Sequence, residues 1–406
     1  MPFAADVAVI FAPIHKQAIL SFQFHRLPAK QFPMAKFKRK IFYLAGFDPR
    51  GARFYHRTLA DQLATHNATG AAPLHITSRR KQGDDVAWTV TDDDGFIGEH
   101  TFLQWDDLVR SHWVKGPFAL FLRMMVSYWH FLVDVDWKLV REWPKGTKIT
   151  LYMPGVLMAL LPPLLSLAVW IVLQFFLSGL VALAAALAIG VGFAVYLMHR
   201  MHSLWLLRFV IFNDWLARGK TDPDVQQRLR RFAETVAAAL DEGWDEVQFV
   251  THSNGSIMAM PVMEHLMELR GTSLPNNFHL VTLGCCTPLI AGRTDARWYG
   301  TTLDKVGAGD FAWLDIGSIT DGACFPLVAP CQGRAISRPS RLIQLSPRWF
   351  KYCDPATYKA RRADKHETHF DYLRRLDRPS PLDYIGLTCT AQSTHQSIAA
   401  FEAENA

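Results

Sequence analysis

Between Lys148 and Arg200 the chain carries no Asp, Glu, Lys or Arg. An uncharged apolar stretch of that length is too long for one buried helix of a soluble domain. It is long enough to cross a bilayer twice. Ser178-Gly179 divides it, which predicts two spans over about residues 153–176 and 180–198. About twenty residues at a rise of ~1.5 Å each cover the roughly 30 Å hydrocarbon core. Pro162-Pro163 is expected to kink the first span, which lipid tolerates where neighbours satisfy the freed carbonyl. Neither span holds an ionisable side chain of the kind a transport pathway needs, so the hairpin reads as an anchor. Arg141, Lys145 and Lys148 precede it, and Arg200, Arg208, Arg218 and Lys220 follow it. Basic flanks on both sides predict that both ends lie on the cytoplasmic side.

Half of the 406 residues are hydrophobic, 20% are charged, and the formal net charge is +6. A basic chain can serve nucleic acid, but these flanking cations suit a membrane surface and no nucleic-acid motif is present. The expected partner is therefore a lipid bilayer and not nucleic acid. Six cysteines (Cys285, Cys286, Cys324, Cys331, Cys353 and Cys389) show neither zinc-ligand nor redox spacing. Beside cytoplasmic flanks they read as free thiols.

The expected organisation is a flexible N-terminal arm (1–35), the first part of an α/β body (36–115), a block of surface helices and the hairpin (116–220), and the second part of the body (221–406). Met34 is an alternative start. The apolar run Val7 to Phe11 lacks the basic lead-in and cleavage site of a signal peptide. Lys40 to Ala45 predicts the first core strand, broken at Gly46-Phe47-Asp48-Pro49 and followed by a helix from about Arg53 to Ala64. His75-Ile76-Thr77 predicts a second strand. Asp92-Asp93-Asp94-Gly95 lies between two alternating runs and predicts a hairpin turn. Its three carboxylates match no metal-loop spacing and read as a solvated turn. Phe118 to Trp143 has helical spacing and many aromatics, as a helix lying on lipid headgroups would. His199 to Trp215 has the same character. Asp222-Pro223 predicts a helix start, with Val225, Leu229, Phe232, Val236 and Leu240 on one face.

That helix leads into residues 246–256. Val247, Phe249 and Val250 read as a strand, which stops at Thr251-His252-Ser253-Asn254-Gly255. Helix-like Ile257-Met258-Ala259-Met260 follows at once. An abrupt strand-to-helix turn strains the residue at its corner and holds a serine hydroxyl above the sheet edge, next to a helix N-terminus that favours negative charge. Further strands are expected at His279–Leu283, Phe311–Ile316 and Arg341–Leu345.

The turn resembles the nucleophile elbow of the α/β-hydrolase family, Gly-x-Ser-x-Gly, with Thr251 at the first glycine position and Gly255 at the second. The resemblance implies a mostly parallel sheet flanked by helices, with the two-helix hairpin inserted. It implies Ser253 as nucleophile, and the backbone N–H groups of Phe47 and Asn254 as oxyanion donors. The family order of serine, acid, histidine then offers Asp321 or Asp315 as the acid and His369 or His366 as the base. Asp321 is preferred because it lies in the loop past the strand end. His369 is preferred because His369-Phe370-Asp371-Tyr372-Leu373 resembles the family's histidine segment. His252 is expected to pack beside the elbow and not to act as the base. The implied reaction is hydrolysis of a carboxylic ester, with a lipid or other apolar acyl ester as substrate and with neither metal nor organic cofactor. A non-catalytic scaffold on the same fold is the alternative.

Overall fold

In the computed structural model, residues 37–219 and 223–406 are described. The N-terminal arm, the start at Met34 and the Asp222 cap lie outside the described residues. Nine strands form one sheet: β1 (Lys38–Leu44), β2 (Leu74–Ile76), β3 (Arg80–Gln82), β4 (Asp85–Asp92), β5 (Ile97–Phe102), β6 (Glu246–His252), β7 (Phe278–Leu283), β8 (Ala312–Ile316) and β9 (Leu342–Leu345). Their order is β2-β4-β5-β1-β6-β7-β8-β9, with β3 paired to β4. From β5 to β9 every neighbouring pair is parallel, and β2, β3 and β4 add an antiparallel edge.

Parallel strands must be joined by crossovers, which lay helices on both faces of the sheet. The sequence of β1 is written for this. Ile41 and Tyr43 point into the core under the helix Ala52–Asn67. Phe42 and Leu44 point into the core under the helices Pro223–Ala239 and Gly255–Arg270. All seven residues of β6 are buried, as a central strand covered on both sides requires. The chain runs outward from β1 to one side, then returns to build β6 to β9 on the other. Such a reversal leaves a crevice at the carboxyl ends of β1 and β6, where open α/β sheets bind ligands.

The apolar stretch forms two helices, Lys145–Leu173 and Gly179–Arg200. The first begins ahead of the expected residue 153 and continues through Pro154, Pro162 and Pro163. At ~1.5 Å per residue both are long enough to cross a bilayer. Only 11% and 22% of their most apolar windows are buried within the protein, so they are not core helices of the body. They pack on each other through Ala182, Ala186, Gly190 and Ala194, all buried and four residues apart. Gly190 lies so close to the backbone of Ser166 that no Cβ fits between them, the close approach that small residues permit in lipid.

Two expectations are corrected. The single helix over Phe118 to Trp143 is two, Pro117–Val133 and Trp137–Glu142. The break is made by Asp136, whose side chain accepts from the Lys138 N–H, and by a bridge from Val135 to Arg293. The first of these keeps an exposed apolar face that includes Phe118, Met125 and Trp129. In the segment from His199 to Trp215, the part from Ser203 on does not lie on the surface. It forms the helix Ser203–Ala217, with Val210, Phe212 and Leu216 buried against the body and Leu207 and Ile211 buried among Leu120, Met124, Met158 and Met198 of the neighbouring helices. Its aromatics suit a protein interior as well as a lipid interface, and the interior takes them.

Candidate active site

The corner after β6 is built on backbone strain. Ser253 has φ of 55°, a left-handed conformation that costs a non-glycine residue about 1–2 kcal/mol. The helix Gly255–Arg270 starts two residues later. Small neighbours make the corner possible. A Cβ on Gly255 would strike the carbonyl oxygens of Leu44 and Ala45. A Cβ on Gly46 would come within 3.0 Å of the Ser253 Cβ. The loop after β1 and the turn after β6 thus touch through glycines, and this contact brings Phe47 beside Ser253. Among the described residues, nothing accepts a hydrogen bond from the backbone N–H of Phe47 or Asn254.

Two loops from the right half of the sheet meet this corner. Asp321 lies beyond β8 and is 1% exposed. Its Oδ1 accepts from the Ala323 N–H at 2.9 Å. Its Oδ2 lies 2.9 Å from Nδ1 of His369. Gly284, with φ of 65°, leaves room for that carboxylate. The Tyr372 hydroxyl accepts from the Ser318 N–H at 2.9 Å and steadies the same loop. Burial alone would raise the Asp321 carboxyl, but the His369 imidazole and the Ala323 N–H hold it below its ordinary value.

His369 ends a short helix, Lys365–His369, capped by the Asp364 side chain, which accepts from the N–H groups of His366 and Glu367. Because Nδ1 faces an ionised carboxylate, Nδ1 carries the proton of the neutral ring and Nε2 is left as a lone pair. Nε2 is buried and has no partner among the described residues. His252 donates from Nε2 to the His369 carbonyl at 2.9 Å and packs its ring 4.8 Å from that of His369. Burial, and then the nearby His369, pushes His252 down to about 3, so it remains a neutral support.

The serine and the imidazole are not hydrogen-bonded. Ser253 Oγ turns instead to Sγ of Cys286, 4.0 Å away. Hydrogen bonds of this kind are often loose before substrate binds. Unmet polar atoms concentrate here: His369 Nε2, His252 Nδ1, Thr251 Oγ1 and both polar side-chain atoms of Asn254. Leaving one such group unsatisfied costs about 1–3 kcal/mol, so a cluster of them marks a place shaped for something other than packing.

No family model matches the chain, no curated protein matches it, and no solved structure matches it. The site therefore stands on its own geometry.

The structure brings Asp321 and His369 together and keeps the rival pair apart. Asp315 accepts from Thr282 Oγ1 at 2.7 Å and from Gln344 Nε2 at 2.9 Å, and no histidine among the described residues bonds to it. His366 stacks on His202 with ring centres 3.9 Å apart and lies beside Trp205. Two contributors carried no signal of their own. Cys286 lies three residues beyond β7, Ser253 lies directly after β6, and the pairing of His252 with Leu283 sets these two ends side by side. Trp205 donates from Nε1 to the Phe47 carbonyl at 3.0 Å and packs its ring 5.9 Å from His369. Its role depends on the helix Ser203–Ala217 being folded back on the body. All six cysteines are free and buried. Among the described residues no cluster of His, Cys, Asp and Glu forms a metal site.

Proposed function

We propose that this chain is a membrane-anchored serine hydrolase of the α/β-hydrolase type that cleaves a carboxylic ester. The observation that carries the reading is the strained corner at Ser253 beside a buried imidazole, which a carboxylate holds by Nδ1 and whose Nε2 is free. A serine hydroxyl is a poor nucleophile at neutral pH unless a base takes its proton. Nε2 of His369 takes it as Ser253 Oγ forms a bond to the ester carbonyl carbon. The carbonyl oxygen becomes an oxyanion and accepts from the N–H groups of Phe47 and Asn254. One such donor is typically worth roughly 10²–10³ in rate. The imidazolium, held by Asp321, then gives the proton to the leaving alcohol as the C–O bond breaks. Water repeats the sequence on the acyl-serine and releases the acid. Metal and organic cofactor have no part in these steps.

The two apolar helices support an anchored enzyme, and the basic residues at both ends of the hairpin support a cytoplasmic body. A lipid or other apolar acyl ester is the substrate this reading favours, because the two spans would hold the enzyme near lipid. A second reading, a scaffold that keeps the fold without chemistry, is favoured by one observation: Ser253 Oγ is turned to Cys286 and not to His369. Hydrolysis of chromogenic esters of graded acyl length by the full chain in nanodiscs separates the two. The enzyme reading expects turnover that disappears in Ser253→Ala. Equal rates for the two proteins support the scaffold.

A further inference from the structure

The helix Pro117–Val133 is apolar on two opposite sides. Leu120, Met124, Ser127 and Phe131 form its buried stripe, and Leu120 and Met124 pack with Met158 of the first span and Met198 of the second. Phe118, Leu122, Met125, Trp129 and Leu132 repeat at the same spacing about half a turn away, and each is at least 48% exposed. Of the 17 residues only Arg123 belongs to Asp, Glu, Lys or Arg. A helix that is hydrophobic all round needs cover on every side, from a protein core or from lipid. The bare stripe runs on into the exposed side of the spans. The Tyr128 hydroxyl donates to the Leu151 carbonyl at 2.7 Å, and the exposed Trp137 stacks on Tyr152. Both of these partners lie on the helix Lys145–Leu173, where Val156 and Leu160 are exposed in turn. The same segment carries the exposed cations Arg123, Lys138, Arg141 and Lys145. Its acids are engaged: Asp134 with Arg218, Asp136 with the Lys138 N–H, and Glu142 with Gln332.

We infer that this stripe is a third membrane contact, set among the acyl chains of the leaflet nearest the body, with the neighbouring cations meeting lipid phosphates. The inference does not depend on the ester-hydrolase reading. A helix of 17 residues is about 25 Å long at ~1.5 Å per residue. That is short of the roughly 30 Å hydrocarbon core, so it enters one leaflet and does not cross. Apolar and aromatic side chains flanked by cations are what a lipid surface takes. A second copy of the chain fits less well. Two copies joined face to face through this stripe would bring the same cations of both together, and like charges oppose such a contact. The inserted helix is firmly joined to the body. His130 Nδ1 lies 2.9 Å from Asp214, which Arg293 also reaches at 3.1 Å. Asp214 belongs to the helix Ser203–Ala217, whose Trp205 holds the Phe47 loop. Insertion of the stripe therefore holds the body, and the corner at Ser253 with it, in one orientation over the leaflet.

The test puts one nitroxide label on the full chain in nanodiscs of phosphatidylcholine and phosphatidylglycerol, through Met125→Cys or Trp129→Cys. Both side chains are exposed, so packing is untouched, and the native cysteines are buried and stay unlabelled. Arg57→Cys, whose side chain is 82% exposed, is the aqueous control. Spin relaxation is read with oxygen, which concentrates among acyl chains, and with a water-soluble nickel chelate. At 125 and 129 relaxation by nickel is lost while relaxation by oxygen is retained, the reverse of the control. Nickel as effective there as at 57 places the stripe in water and overturns the inference. Loss of both places it against protein, a second copy or another partner, and overturns it equally. A phospholipid with a diazirine midway along its acyl chain gives a check on wild type alone. Crosslinks to peptides containing residues 118–133 support the inference, and crosslinks confined to the two spans contradict it.

Discussion

The indole Nε1 of Trp205 donates to the carbonyl oxygen of Phe47 at 3.0 Å. The helix leaving the apolar hairpin is thereby tied to the loop whose next function, in the proposed reaction, is to present the Phe47 N–H to an oxyanion. Trp205→Phe keeps the ring and removes the donor. Losing one such bond is worth about 1–2 kcal/mol, so ester turnover is expected to fall roughly 5- to 30-fold. The drop is expected in kcat more than in KM, because the oxyanion exists only beyond the ground state. A change confined to KM contradicts this role.

In the proposed reaction the acid and the base are the pair that touch each other, Asp321 and His369. Asp321→Asn and His369→Ala are each expected to lower turnover by roughly 10³-fold or more, the scale seen when a triad member is removed. Asp315→Asn and His366→Ala act outside the chain of contacts and are expected to change it less than about tenfold. Steady-state rates of the four purified variants decide the matter. A collapse in His366→Ala with a mild effect in His369→Ala reverses the assignment.

The strain at Ser253 has a consequence for stability. Its φ of 55° is one that glycine adopts freely and alanine does not. Ser253→Gly is therefore expected to be more stable than Ser253→Ala by about 1 kcal/mol, although both lack the hydroxyl. Thermal unfolding of the two variants in the same detergent measures this. Equal Tm values contradict the strained corner.

Asp315 gives a pH signature. Burial pushes its carboxyl up from 3.8 to about 6, against the donors Gln344 and Thr282, which pull it down. A raised folded value means that the native state binds the proton more tightly than the unfolded chain does. Its stabilising contribution is fully present below about pH 3.8 and is lost as the pH rises through about 6. Relative to Asp315→Asn, wild type is expected to lose stability on going from acid to neutral pH, by up to ~3 kcal/mol. A gap between the two proteins that stays constant over this range contradicts the assignment.

Much of this arrangement was legible in residue patterns. Val247 to Val250 followed by the Ser253-Asn254-Gly255 turn marked the corner, because a strand and a helix with nothing between them leave few ways to turn. Asp92 to Gly95 marked the hairpin between β4 and β5, and the uncharged stretch marked the two apolar helices. Other parts had no local signature. β3, Arg-Lys-Gln, has all three residues exposed and no pattern. The helix Thr394–Asn405 carries a Ser393–Gln396 capping box but no apolar stripe to mark it. The helix Ser203–Ala217 reads equally as a lipid-surface or a core helix, because aromatic, apolar residues suit both. Only the fold decides between them, and with it the contacts that Trp205 makes.

The central claim concerns one hydroxyl. The full chain in nanodiscs, treated with a fluorophosphonate and digested for mass spectrometry, is expected to carry a single adduct on the peptide containing Ser253. Ser253→Ala is expected to carry none, and His369→Ala to react far more slowly. Wild type that stays unmodified while a control esterase is labelled contradicts the claim, as does an adduct on any other residue.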